Sequence, residues 1–120
     1  MQKRILIIDD DRSNGEALNM IMEQEGFISR YVESPSACFH EIDHFNPHLL
    51  ILDIQLGEAD GRLICNEIKE NAKTKHLPVI LISAMLPNQI DQVQSHHDGM
   101  ICKPFDINEV VELTRRLLQL

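Results

Sequence analysis

Leu49-Leu50-Ile51-Leu52-Asp53 decides the fold. Four consecutive aliphatic residues read as a strand buried on both faces, as in a parallel sheet covered by helices. The run stops at a carboxylate. Beyond it Gly57, Asp60 and Gly61 are loop residues. Open α/β sheets bind their ligands at the carboxyl ends of their strands, so Asp53 stands where chemistry is expected. A strand-ending Asp is commonly only a stop signal. Here three other apolar runs also end in reactive polar groups: Asp9 and Asp10, Ser83, and Lys103.

Outward from that strand, the chain reads as alternating β and α segments. Arg4 to Ile8 forms the first strand, followed by Asp9-Asp10-Asp11, with Asp11 as a helix cap. Helix 1 is expected over about Ser13 to Glu25, with Ala17, Leu18, Ile21 and Met22 inward and Gly26 closing it. Phe27 to Val32 is a less apolar edge strand. Ser34-Pro35 reads as an N-cap followed by an N1 proline for helix 2, which carries Cys38, Ile42 and Phe45 and ends before Pro47. Helix 3 starts near Gly61 with Leu63, Ile64 and Ile68. Pro78 opens the fourth strand, Val79 to Ile82, ending at Ser83-Ala84. Helix 4, about Pro87 to Ser95, has only Ile90 and Val93 as good core residues. Met100 to Cys102 is a short fifth strand. Asp106 with Glu109 forms a capping pair for helix 5, which buries Val110, Val111, Thr114, Leu117 and Leu118.

This alternation predicts a doubly wound α/β fold, a parallel sheet flanked by helices, as one domain over residues 1–120; the order 2-1-3-4-5 is taken from the common precedent for such folds and does not follow from the alternation itself. Right-handed crossovers bring every strand's carboxyl end to one edge. Strands 1 and 3 are then neighbours, and Asp9, Asp10 and Asp53 lie side by side.

Bulk properties exclude several classes. The 19 acidic residues outnumber 11 basic ones, for a formal charge of −8. That disfavours direct nucleic-acid binding, which needs clustered Lys and Arg. Cys38, Cys65 and Cys102 form neither a disulfide framework nor a metal-binding C-x-x-C pattern. No apolar run has the length of a membrane span, and Met1-Gln2-Lys3-Arg4 leads straight into a strand without a leader. A cytoplasmic protein with no membrane partner is expected. His40, His44 and His48 have helical spacing, but Pro47 interrupts it and no carboxylate accompanies them, so they are read as surface residues.

Three carboxylates in one pocket repel each other unless they take up protons or a cation neutralises them. An all-oxygen donor set favours a hard cation such as Mg2+. Ser83 supplies a hydroxyl and Lys103 a positive charge, both suited to phosphoryl oxygens. A carboxylate can itself act as nucleophile and form an acyl phosphate, and Asp53 is the best placed.

At this point the sequence resembles a known family. Ile5-Leu-Ile-Ile-Asp-Asp-Asp11, Leu52-Asp53, Asp60-Gly61, Ser83-Ala84 and Lys103-Pro104-Phe105 are similar to the receiver domain of two-component response regulators, over essentially the whole chain. The resemblance implies a flavodoxin-like sheet and a phosphorylation-controlled signalling module, not a metabolic enzyme. Asp53 would accept a phosphoryl group from a histidine kinase or histidine phosphotransfer protein. Asp10, Asp53 and the backbone carbonyl of Gln55 would ligate Mg2+, with Asp9 acting through water. Ser83 would swing toward the phosphoryl group, with small Ala84 leaving it room. Lys103 would bind the phosphoryl oxygens, across a peptide bond to Pro104 that is often cis in the family. Helix 4, strand 5 and helix 5 would control an attached output domain or target protein, with a homodimer through that face as one possibility. Three positions depart from the family pattern. Met100 stands where a switching Tyr or Phe is usual, His96-His97 replace Gly-Ala, and Gly57 replaces a proline.

One alternative uses the same groups: a small phosphatase of the haloacid-dehalogenase type, with Asp53 as nucleophile. Such enzymes carry a second Asp two residues after the first, where this chain has Gln55. A nucleotide-binding module would need a Gly-rich dinucleotide loop or a P-loop lysine motif, and the sequence has neither.

Overall fold

In a computed structural model of the protein, residues 2–120 are described; Met1, part of the N-terminal stretch read above, lies outside them. The chain runs β1 (Arg4–Ile8), α1 (Arg12–Gln24), β2 (Ile28–Val32), a 3-10 turn (Pro35–Ala37), α2 (Cys38–Phe45) and β3 (Leu49–Asp53). It continues with a small ribbon of β4 (Gln55–Leu56) and β5 (Ala59–Asp60), then α3 (Gly61–Glu70), β6 (Val79–Ser83), α4 (Pro87–Ile90), β7 (Gly99–Cys102) and α5 (Ile107–Leu117). The main sheet has the order β2-β1-β3-β6-β7, all parallel. With the ribbon set aside, this is the expected order 2-1-3-4-5.

Strand side chains alternate between two faces, and each face has its own core. Leu6, Ile8, Leu50, Leu52, Val79 and Leu81 pack with Ile42 of α2 and Cys65 and Ile68 of α3. Ile5, Ile7, Leu49, Ile51, Ile80 and Ile82 pack with Leu18 and Met22 of α1 and with Val110 and Leu113 of α5. The continuous aliphatic runs of β3 and β6 are therefore buried along their whole length, whereas edge strand β2 is half exposed.

Several local expectations are corrected. Ala17 is exposed, and Gly15 takes the inward position on α1. A Cβ at Gly15 would lie 2.1 Å from the Tyr31 ring, so the tyrosine occupies space that a larger helix residue would fill. Ser34 precedes a 3-10 turn, not α2, and makes no side-chain cap bond; its hydroxyl pairs with the Ser36 hydroxyl at 2.6 Å. Leu63 is exposed while Cys65 faces the core. On α5 Leu113 is buried and Val111 only half so, while Asp106 caps by accepting the Asn108 N–H. Helix α4 ends at Ile90 instead of continuing to Ser95. Ile90 is buried, but Val93 stays half-buried, so the sequence beyond Ile90 has no apolar face to hold it on the sheet as a helix.

Candidate functional site

The register assembles the site. Ile8 pairs with Leu52 and Asp53 with Ile82, so Asp9, Asp53 and Ser83 leave adjacent strands at one level of the sheet edge. Asp9 and Asp53 are buried and Asp10 is exposed, with a carboxylate oxygen of each within 4.8 Å of the others. Asp9 Oδ1 accepts the Asp11 N–H at 2.8 Å, and its backbone carbonyl accepts the Tyr31 hydroxyl at 2.7 Å. Asp10 Oδ2 accepts the Gly57 N–H at 3.0 Å. A proline at position 57 has no N–H and could not make that bond. Asp11 is the α1 cap read from the sequence, accepting from Ser13 and Asn14.

Asp53 is held at both oxygens. Oδ1 accepts the Gln55 N–H at 2.9 Å, and Oδ2 accepts from Lys103 Nζ at 2.7 Å. Lys103 Nζ also stands 3.1 Å from Asp9 Oδ2, an ionic contact without hydrogen-bond alignment, so that buried oxygen has no hydrogen-bond partner. Three carboxylates against one ammonium leave a local charge of −2. The donor set is all oxygen, which fits a hard divalent cation. Burial opposes the Lys103 ammonium, but Asp53 and Asp9 outweigh it and raise its pKa, so it stays charged. The Lys103–Pro104 peptide is cis.

Burial pushes Asp9 up to about 6, with the Asp53 carboxyl adding to the rise and the Asp11 N–H and Lys103 opposing it. This lies above the ordinary value of 3.8, so the folded protein holds the proton more tightly than the unfolded chain does. Asp9 therefore favours the fold fully below about pH 4, and that contribution is lost as pH rises through about 6. In metal-free protein the Tm is expected to drop more between about pH 4 and pH 7 than in Asp9→Asn; parallel drops by calorimetry would contradict this.

Ser83 is buried, with its hydroxyl accepting the Met85 N–H at 2.9 Å, and Ala84 lines the open depression above Asp53. Met100, opposite Leu81 in the register, packs inward against the core on the α2–α3 side. Among the histidines, the rings of His40 and His44 stack at 3.9 Å, while His48 Nδ1 accepts the Arg4 N–H. Sequence reading missed the Tyr31 and Gly57 contacts and the whole β4–β5 ribbon. It also missed Arg62, whose buried guanidinium pairs with Asp60. The adjacent Asp60-Gly61 was the available signal: Gly61 N donates to the Ile54 carbonyl at 2.7 Å, pressing the start of α3 against the backbone behind Asp53.

The sequence profile of the response regulator receiver domain matches residues 5–115. The chain belongs to that family. Curated relatives of this receiver include the DNA-binding dual master transcriptional regulator RpaA of Synechocystis sp., 29% identical over 97% of this chain and 49% of that protein. Another is the DNA-binding response regulator MtrA of Mycolicibacterium smegmatis, 28% identical over 99% of this chain and 52% of that protein. The receiver thus spans about half the length of these relatives. Among solved structures, the signal receiver domain of a signal transduction histidine kinase from Syntrophus aciditrophicus superposes with a TM-score of 0.89 at 26% identity, covering 98% of this chain and 90% of that one. Receiver domains are phosphorylation-controlled signalling modules, and the haloacid-dehalogenase alternative has no support in these matches. Among the described residues no helix is long and apolar enough to cross a membrane.

Proposed function

We propose that this receiver takes a phosphoryl group onto Asp53 from a histidine kinase or histidine phosphotransfer protein, and passes that state to a partner or an attached output domain. The observation that carries the reading is Asp53 itself. Its buried carboxylate is fixed by Lys103 Nζ at 2.7 Å and the Gln55 N–H at 2.9 Å, beside two further carboxylates and below an open depression. An Asp53 oxygen forms the new P–O bond as the donor's P–N bond breaks, and the departing imidazole nitrogen recovers a proton. Lys103 balances charge that develops on the phosphoryl oxygens. Ser83 can exchange its Met85 N–H partner for a phosphoryl oxygen as hydroxyl donor. Mg2+, when bound, would offset repulsion between the carboxylates and the incoming phosphoryl group. Asp10, Asp53 and the Gln55 carbonyl would hold it, with Asp9 contacting it through water. The domain performs its own phosphorylation and slow dephosphorylation and is not a turnover enzyme. It works in the cytoplasm. Its output face is α4, β7 and α5, where Asp98, Asp106, Glu109 and Glu112 border one groove with Arg116; that charge favours a different partner over a second copy of the chain.

Incubation with acetyl phosphate and Mg2+ should add one phosphoryl group, read by intact mass. Multiple turnover of small phosphate esters would instead favour a phosphatase. The metal part has its own test. Mg2+ should raise the Tm of the wild type, and Asp10→Ala should weaken Mg2+ binding by roughly tenfold or more through loss of a direct ligand. Superimposable Mg2+ titrations of the two proteins would refute the ligand set.

A further inference from the structure

Arg62, in the first turn of α3, is a buried charge with partners on two separate elements. Buried charges persist only when paired and hydrogen-bonded. On one side Arg62 Nε donates to Asp60 Oδ1 at 3.0 Å and Nη2 to Oδ2 at 2.9 Å, a two-point fork. On the other side Nη1 donates to the carbonyls of Gln89 and Ile90 at 3.0 and 3.1 Å, the last residues of α4.

Asp60 is also tied back to the acid pocket. In the β4–β5 ribbon it sits directly opposite Gln55, and the Gln55 N–H is the donor to Asp53 Oδ1. A continuous path therefore runs from the Asp53 carboxylate through Gln55, across the ribbon to Asp60, and through the Arg62 guanidinium to the end of α4. The receiving end is lightly anchored. Ile90 is the buried residue of α4, and residues 91–98 contain no helix or strand. Polar side chains of α3 hold that segment: Asn66 Nδ2 donates to the Gln94 carbonyl at 2.8 Å, and Lys69 pairs with Asp98 at 2.6 Å. A segment with few buried apolar contacts can be repositioned at low cost.

We propose that Arg62 is the positioning residue that carries the phosphorylation state of Asp53 to the α4 segment, by way of the ribbon and Asp60. The inference rests on Asp53 being the phosphoacceptor. Phosphorylation turns one Asp53 oxygen into the bridging oxygen of an acyl phosphate and removes the carboxylate charge facing the Gln55 N–H. Gln55 and its ribbon partner Asp60 readjust together. The rigid guanidinium fork follows the Asp60 carboxylate, and the α4 carbonyls follow the guanidinium or lose it. The α4 segment is the element that changes arrangement. Met100 offers neither a ring nor a hydroxyl for this purpose and is already packed inward.

The test uses the whole chain and amide hydrogen exchange by NMR, with and without beryllofluoride and Mg2+. In the wild type, beryllofluoride should shift Gln55, Ser83 and Lys103 and alter protection over residues 87–98. In Arg62→Lys the single ammonium cannot serve the Asp60 fork and two carbonyls at once. The shifts at the three site residues should persist, while the beryllofluoride-dependent change over 87–98 shrinks at least about threefold. A purely structural Arg62 would instead loosen 87–98 equally in both states. If Arg62→Lys does not fold, Asp60→Asn, which keeps a capping oxygen and loses the charged fork, should show the same selective loss. A wild-type-sized change in either folded variant overturns the inference. So does a wild type whose site residues shift while 87–98 stays still, and that result would leave the phosphoacceptor reading intact. A wild type with no response anywhere takes down both.

Discussion

Asp53→Asn is expected to abolish phosphoryl uptake, with at least a hundredfold loss, on the order of what removing an enzymatic nucleophile costs. The amide is nearly the same shape, so the Gln55 N–H can still find an acceptor at Oδ1. The charge that makes the position nucleophilic is gone, and the Lys103 ammonium is left to Asp9. Neither Asp9 nor Asp10 is held like Asp53. Asp9 is buried and pinned through its Oδ1 by the Asp11 N–H, while Asp10 accepts the Gly57 N–H and has no bond to Lys103. The measurement is intact mass after acetyl phosphate and Mg2+, alongside calorimetry to show that the variant folds. Full labelling of the variant would move the acceptor elsewhere and sink the assignment.

Gly61→Ala should be the most destabilising small substitution near the site. A Cβ there would stand 2.1 Å from the Asp53 carbonyl oxygen and 2.9 Å from both the Asp53 carbonyl carbon and Ile54 Cα. All three are backbone atoms of or next to the central strand, and none can rotate aside. Overpacking of this kind costs roughly 3 kcal/mol or more. For a chain of this size the Tm should fall by roughly 10 °C or more. Gly57→Ala is the internal comparison. Gly57 has φ +63°, but nothing lies within 4 Å of where its Cβ would stand, so only the left-handed backbone penalty of about 1 kcal/mol applies. A Gly61→Ala protein melting within a degree or two of Gly57→Ala would contradict the close approach.

The strand that ends in Asp53 was readable because full burial on two faces leaves a long aliphatic run. Ile5 to Ile8 and Val79 to Ile82 carry the same signature, each feeding two cores of opposite parity. The acid pocket followed once the common doubly wound strand order was adopted, because that order makes β1 and β3 neighbours. What could not be read was held by groups without periodicity. The ribbon depends on Gln55 and Asp60 pairing across two turn residues, too short for alternation to show. Helix α4 is shorter than Pro87 to Ser95 because Ile90 alone anchors it, while the side chains that hold the following segment lie on α3. Nothing in the sequence marks Arg62, in the first turn of α3, as a buried charge. Only the three-dimensional fold shows it closed between Asp60 and two carbonyls.

Tyr31 reaches from β2 to the end of β1, with its hydroxyl on the Asp9 backbone carbonyl and its ring against Gly15. It is also the chain's one tyrosine, and there is no tryptophan. Burial, with Glu33 adding to it, pushes the phenol's pKa up to about 12, so it is neutral at physiological pH. The protein thus carries its own optical reporter, an unlabelled chromophore hydrogen-bonded to the backbone of Asp9. Its ultraviolet emission should register occupancy of the carboxylate cluster by a cation directly, with no tryptophan to drown the signal.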